Sequence, residues 1–193
     1  MARLFDGTND SLQAASVDLS AFSKIAVVCW LYWDAFAIGN DLALEFTAQA
    51  TANAGGFHIN PDHSISAQFN VLLRGNSGNS EATFTRPSGA AWHHYVFNMD
   101  MTAASGSEIA TVYVDGSSVA LTPGTSSENT SVFANSTLNF MSRNNTSLFG
   151  AGRICEVGIY GGVLLTAGEA VALSKGFVPP LVQPTALEYY WPI

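Results

Sequence analysis

The segment Lys24–Trp33 is apolar on both of its alternating sets, Ile25, Val27, Cys29 and Leu31 on one and Ala26, Val28, Trp30 and Tyr32 on the other. Side chains alternate across a strand, so a strand of this kind is central in its sheet or covered by a second layer. Period-2 segments recur at Leu42–Phe46, Phe57–Ile59, Ile65–Phe69, Ala82–Thr85, Ala91–Met101 and Ile109–Val114, separated by clusters of Gly, Asn, Ser and Pro. This rhythm predicts an all-β sandwich. Asp115-Gly116 marks a two-residue hairpin, because glycine accepts the positive φ such turns need. Two Ser-, Asn-, Gly- and Thr-rich stretches, 70–80 and 122–135, read as long loops that would carry partner contacts.

Near the C-terminus the pattern changes. Thr166-Ala167-Gly168-Glu169 is a capping box, so a short helix is expected to start there and to end at Gly176. Residues 177–193 hold four prolines, which disfavour a regular helix. Yet the segment is apolar and ends in Tyr189-Tyr190-Trp191-Pro192-Ile193, which a solvated tail would not. The expected organisation is one domain over 1–176 and an apolar Pro/aromatic tail over 177–193. The tail either packs on the sandwich or docks into a neighbour. Its assembly contacts would be Phe177, Leu181, Leu187, Tyr189, Tyr190, Trp191 and Ile193.

Several segments resemble a known family in its own order. Leu148-Phe149-Gly150-Ala151-Gly152-Arg153-Ile154-Cys155-Glu156-Val157-Gly158-Ile159-Tyr160, followed by Leu164-Leu165-Thr166 and Glu169, resembles the closing segment of concanavalin A-like jelly rolls of the laminin-G type. Leu4-Phe5-Asp6-Gly7 is similar to that family's opening. Phe22–Leu31 is similar to its first long strand, Trp92-His93-His94-Tyr95-Val96 to its W-H-H-V, and Val112-Tyr113-Val114-Asp115-Gly116 to its V-Y-V-D-G hairpin. The resemblance spans residues 4 to about 174. It implies an antiparallel β-sandwich jelly roll with one short C-terminal helix, and a fold used mainly for binding. It also implies Trp30 and Trp92 as core positions, and places the strands of Cys29 and Cys155 close together. Cys155 stands where the family usually has Asp. The cysteines are then either two buried thiols or, alternatively, a disulfide.

Charge narrows the partners. Only 11% of residues are charged, against about 25% in a typical domain, and the formal net charge is -8 with seven Lys plus Arg. No basic footprint exists for nucleic acid, and anionic membranes are disfavoured for the same reason. No basic n-region with an apolar h-region precedes the first strand, and no apolar run reaches ~18 residues. The expectation is synthesis in a host cytoplasm without a signal peptide. Sparse charge also gives weak protection against association, which suggests a surface buried in an assembly.

Catalytic patterns are missing. Glycosidases of this fold place carboxylates two or four residues apart on one strand, and none of Glu45, Glu81, Glu108, Glu128, Glu156, Glu169 and Glu188 has such a partner. His58 and His63 flank a turn at Asn60-Pro61-Asp62 and could face one metal, but they read as turn histidines on a surface hairpin. His93 and His94 point to opposite faces of their strand. Family members often bind Ca²⁺ at one edge of the sandwich, and Asp6, Asn9 and Asp10 supply hard oxygens on a Gly-containing loop. Tyr32, Trp33 and Phe36, at the end of a strand, are candidates for stacking on a sugar, although for Trp33 a core role leads.

The sequence therefore points to a non-catalytic structural or decoration protein on the surface of a virion, that of a tailed phage. It would contact a capsid or tail protein and form a homo-oligomer. The alternative is a lectin-like module that binds host glycan, with or without Ca²⁺.

Overall fold

Strand β3 (Lys24–Trp33) sits inside the first sheet, as its two apolar faces require. The computed structural model describes residues 2–34, 39–64, 67–126 and 131–193. In the first sheet, β3 lies between β13 (Ala151–Gly161) and β8 (Trp92–Asp100). The sheet continues through β9 (Ile109–Val114) to β10 (Ser117–Ser118). The second sheet runs in the order β11 (Thr122–Ser126), β7 (Asn79–Thr85), β6 (Gln68–Arg74), β5 (Gly56–Asn60), β4 (Leu44–Phe46), β12 (Asn135–Phe140) and β2 (Leu12–Asp18). Every pairing between these strands is antiparallel, as the sandwich prediction requires.

Alternation decides what each face of β3 meets. Ile25, Val27, Cys29, Leu31 and Trp33 point between the sheets into one large core with Phe46, Phe57, Phe69, Phe97 and Phe140. Ala26 and Val28 point outward and are covered by helix α1 (Ala167–Ser174), in a second cluster with Val96, Tyr160, Leu165 and Leu173. The capping box forms: the Thr166 hydroxyl accepts from the Glu169 amide, and the Glu169 carboxylate accepts from the Thr166 N–H at 2.7 Å. Such a cap contributes ~1 kcal/mol, and burying a leucine on this layer ~1.5–3 kcal/mol. The buried Asn98 side chain fixes the helix approach by accepting from the Leu165 N–H at 2.9 Å and donating to its carbonyl at 2.8 Å. The helix is short, so Trp30 and Tyr32 run out past its cover.

The tail does not separate from the sandwich at residue 176. Residues 179–181 make one 3-10 turn, and β14 (Leu187–Trp191) then pairs with β13. Strand β1 (Arg3–Asp6) pairs with the first half of β13 and β14 with the second half, on the edge opposite β3. Between them β13 carries a bulge in which Glu156 adopts φ 52°, a left-handed conformation that turns its side chain out. Tyr189 and Trp191 stack at 5.6 Å, Trp191 meets Phe140 edge-on at 5.5 Å, and the Asp18 N–H donates to the Tyr189 hydroxyl at 2.8 Å. Leu187, Tyr189, Trp191 and Ile193 thus pack on their own chain. Tyr190 donates its hydroxyl hydrogen to Glu156. Phe177 and Leu181 remain exposed.

The two long loops of the sequence reading are largely strand. Stretch 70–80 holds most of β6, a tight turn closed by Gly75 N–H to the Gly78 carbonyl at 3.0 Å, and the start of β7. Stretch 122–135 begins as edge strand β11, and residues 127–130 lie outside the described part. Asn and Ser are read as loop formers, but here Asn70 alternates with the buried Val71 and Leu73, and Ser80 lies opposite Leu73 on the inward face.

Candidate functional site

The outer face of the second sheet carries a row of directly opposed residues, Gln13–Asn139–Glu45–His58–Leu72–Glu81, one from each of β2, β12, β4, β5, β6 and β7. Their neighbours along each strand, such as Leu44, Phe46, Phe57, Ile59, Val71 and Leu73, point into the core. The row is thus the outward half of an ordinary alternation, but its middle, from Asn139 to Leu72, is buried, while Gln13 is exposed and Glu81 half-buried at its ends. Glu45 and Asn139 are fully buried. Gln13 donates to Asn139 Oδ1 at 2.7 Å, and Asn139 Nδ2 donates to the Glu45 and Thr47 carbonyls at 3.1 and 3.0 Å.

Above the centre of the row lies a cleft of about 330 Å³, walled by His58, Asn60, His63, Asn70, Glu81 and Arg143. Glu45 anchors its base. The carboxylate accepts from the Ala50 N–H at 2.9 Å, and Arg143 Nε sits 3.1 Å from each oxygen. Burial pushes the Glu45 carboxyl above its ordinary range, and Arg143 opposes that shift. His58 Nε2 lies 2.9 Å from Asn70 Oδ1. Burial lowers His58 to about 4, so the ring is neutral near pH 7. With Nε2 donating to Asn70, Nδ1 is left as an acceptor. Neither His58 Nδ1 nor Asn70 Nδ2 has a partner among the described residues, although both side chains are more than nine-tenths buried. The reading of His58 as a surface turn histidine is corrected: it is on β5, beneath the cleft. Among the described residues no three of His, Cys, Asp or Glu are grouped to hold a metal.

The outer face of the first sheet is different. Past the end of α1, Trp30, Trp92, Cys155, Phe177 and Val178 line an open apolar groove of about 490 Å³ with Glu156 at its side. Trp92 is 37% exposed, so it is not the core residue the sequence suggests. Tyr32 is half-buried, edge-on to Trp92 at 5.7 Å, with the Arg153 guanidinium 4.7 Å over its ring. Trp33 is only 4% exposed and offers no stacking face, because its ring lies against Gly150, where a Cβ would come within 2.5 Å of it. Phe36 falls outside the described residues. Cys29 faces the core and Cys155 this groove; both are free thiols, and Cys155 is only partly buried.

The Asp6–Asp10 loop is a hydrogen-bonded turn. Asp6 Oδ1 accepts from the Thr8 and Asn9 N–H groups at 2.8 and 3.4 Å, and Asp10 Oδ2 accepts from the Asp6 N–H at 3.3 Å. Two other carboxylates do converge, and the sequence reading passed over them. A Cβ on Gly39 would lie 3.1 Å from Asp41 Oδ2 and 3.3 Å from Asp62 Oδ2. Burial raises both carboxyls above their ordinary range, and the charge of Asp41 raises Asp62 further.

Comparison with known proteins places this architecture. The profile of the laminin-G-like family described as the concanavalin A-like lectin/glucanases superfamily matches residues 6–169. The chain belongs to that family. A search of curated protein sequences finds no match. Among solved structures, the superfamily fold recurs in a SAP-like pentraxin of Limulus polyphemus, with TM-score 0.61 and 12% identity over 90% of this chain and 81% of that one. Tailspike protein 2 of bacteriophage CBA120, in its enzymatically active domain, gives TM-score 0.65 and 13% identity over 98% of this chain and 29% of that one. The CBM40 of a Ruminococcus gnavus sialidase, bound to α2,3 sialyllactose, gives TM-score 0.54 and 13% identity over 90% and 97%. At these identities the likeness is one of fold.

Proposed function

We propose that the chain is a non-catalytic glycan-binding module whose site is the cleft on the second sheet. The observation that carries this is the pair of buried, unpartnered polar atoms at the cleft floor, His58 Nδ1 and Asn70 Nδ2. Leaving such groups without partners costs ~1–3 kcal/mol each, so a ligand that both donates and accepts is favoured there. A sugar hydroxyl does both. Binding without catalysis is supported by the state of the carboxylates. Glu45 is held by Arg143 and the Ala50 N–H, which leaves Glu81 as the cleft-lining carboxylate without that restraint. A pair of free carboxyls is what glycoside hydrolysis requires.

The test replaces both members of the buried pair. His58→Leu/Asn70→Leu removes donor and acceptor together and so strands neither. Glycan-array binding by the wild type, lost in the double variant with an unchanged circular dichroism spectrum, is expected. Retention of binding by the double variant would refute the assignment.

A second reading is a virion-surface role, with a capsid or tail protein as partner and a homo-oligomeric state. The exposed Trp92, Phe177, Val178 and Leu181 favour it, since they form apolar surface on a chain with little charge to oppose close contact. Stoichiometric recovery of the chain from purified particles tests that reading, and the two roles are compatible.

A further inference from the structure

We infer that the cleft is built for acidic glycans, with the carboxylate of a uronic or sialic acid received by Arg143; this rests on the cleft being a glycan site. The geometry of Arg143 carries the inference. A guanidinium usually meets a carboxylate along an edge, with two parallel N–H···O bonds. Here Nε alone approaches Glu45, equidistant from both oxygens at 3.1 Å. The end of the guanidinium that bears the two Nη groups is therefore directed away from Glu45, and neither Nη has a hydrogen-bond partner among the described residues. The side chain is 23% exposed and lines the cleft. The result is an unused planar fork of the shape that receives a second carboxylate.

The fork is also held rigidly. Glu45 is fully buried on β4 and fixed from behind by the Ala50 N–H. The backbone of Arg143 is tied into its own loop by its N–H to the Ser147 carbonyl at 2.8 Å and by the Thr146 N–H to its carbonyl at 2.9 Å. Glu45 lies behind the guanidinium and not beside it, so an anion entering the cleft meets the cation first. His58 and Asn70 then lie within the same cleft to take the hydroxyls of the sugar ring. Three of the six other Lys and Arg residues are held in ion pairs: Lys24 to Asp100, Arg153 to Asp34 and Arg86 to Asp62. Glu81, on the opposite wall, acts against an anionic ligand and supplies an independent check of sign.

Isothermal titration calorimetry with matched pairs tests this on the full chain. The probes are 3′-sialyllactose against lactose, and cellobiouronic acid against cellobiose. At least one acidic sugar is expected to bind tenfold or more tightly than its neutral partner, and the pair that does so identifies the source of the carboxylate. Arg143→Met/Glu45→Met removes the ion pair without stranding a buried charge and should abolish that preference. Arg143→Lys keeps a cation for Glu45 without the fork and should reduce the preference at least fivefold, while Glu81→Gln should strengthen acidic binding severalfold. Equal affinity for acidic and neutral sugars would overturn the inference and leave the glycan reading standing. Binding of neither class would overturn both. A preference that survives in the Met double variant would remove Arg143 from the site.

Discussion

The outer faces of the two sheets start from the same alternation and end with opposite chemistry. On the first sheet the outward side chains of β3 are Ala26, Val28, Trp30 and Tyr32, and a helix and the returning tail cover the inner part of that stripe. What stays open is apolar: Trp92, Phe177 and Val178. On the second sheet the outward side chains are Asn139, Glu45, His58, Asn70 and Glu81, of which all but the half-buried Glu81 are buried around an open cleft. The first face is closed by packing, with Asn98 paired to Leu165, and the polar atom it leaves unpartnered among the described residues, His94 Nδ1, is edge-on beside Trp30 and lines no polar cleft. The second is left with polar atoms unpaired at its floor. An apolar cover stabilises the fold, whereas an unsatisfied polar floor costs stability, and the cost is explained by a ligand.

The largest expected effect breaks the first face. Truncation after Gly176 removes β14, opens the second half of the β13 edge and strips Val182, Tyr189 and Trp191 from the core. A loss of roughly 5 kcal/mol or more is expected, read as collapse of the urea midpoint or as aggregation. A folded truncated protein that fails only to oligomerise or to attach to a particle would instead favour the tail as an assembly element. Leu173→Ala, under the helix, should cost ~3 kcal/mol by chemical denaturation.

Acid should reach both faces. His58 and His94 are held by burial at about 4, against 6.5 for the free side chain. As pH falls through about 6.5 the unfolded chain takes up protons that the fold refuses until about 4. Stability is therefore full above that window and falls inside it by ~1.4 kcal/mol per pH unit per histidine. The raised carboxyls of Glu45, Asp41 and Asp62 act in the opposite sense, so the comparison is between variants. His58→Leu/Asn70→Leu should have a shallower slope than wild type between pH 6.5 and 4.5, and an equal slope would contradict the burial of a neutral His58. At pH 7 the same double variant should match or exceed wild-type stability by about 1 kcal/mol while binding no glycan. The smallest effect is Trp92→Ala: below ~1 kcal/mol in stability and nothing on glycan affinity.

Legibility in the sequence followed the same division. The β3 segment, the hairpin at Asp115-Gly116 and the capping box are local signals, and each became the element its residues predict. The tail was readable as ordered but not as a strand, because pairing with β13 depends on an edge that β1 leaves half free, a fact of topology. The cleft was least readable. His58, Asn70 and Glu45 come from three strands and look like ordinary outward polar residues; only their burial under distant loops makes them a site. Arg143 stands in an Asn-rich turn nearly 100 residues from Glu45. Trp33 took the core role that led over stacking, whereas Trp92, read as core, is exposed because strand ends do not reveal which face the loops will close.

The central claim is that the polar cleft, and not the aromatic groove, takes the sugar. Nitrogen-15 correlation spectra recorded during titration with the tightest array glycan test it most directly. The account predicts saturable shifts at His58, Asn60, Asn70 and Arg143, with the indole signals of Trp30 and Trp92 unmoved. Shifts confined to Trp30, Trp92 and Phe177 would contradict it.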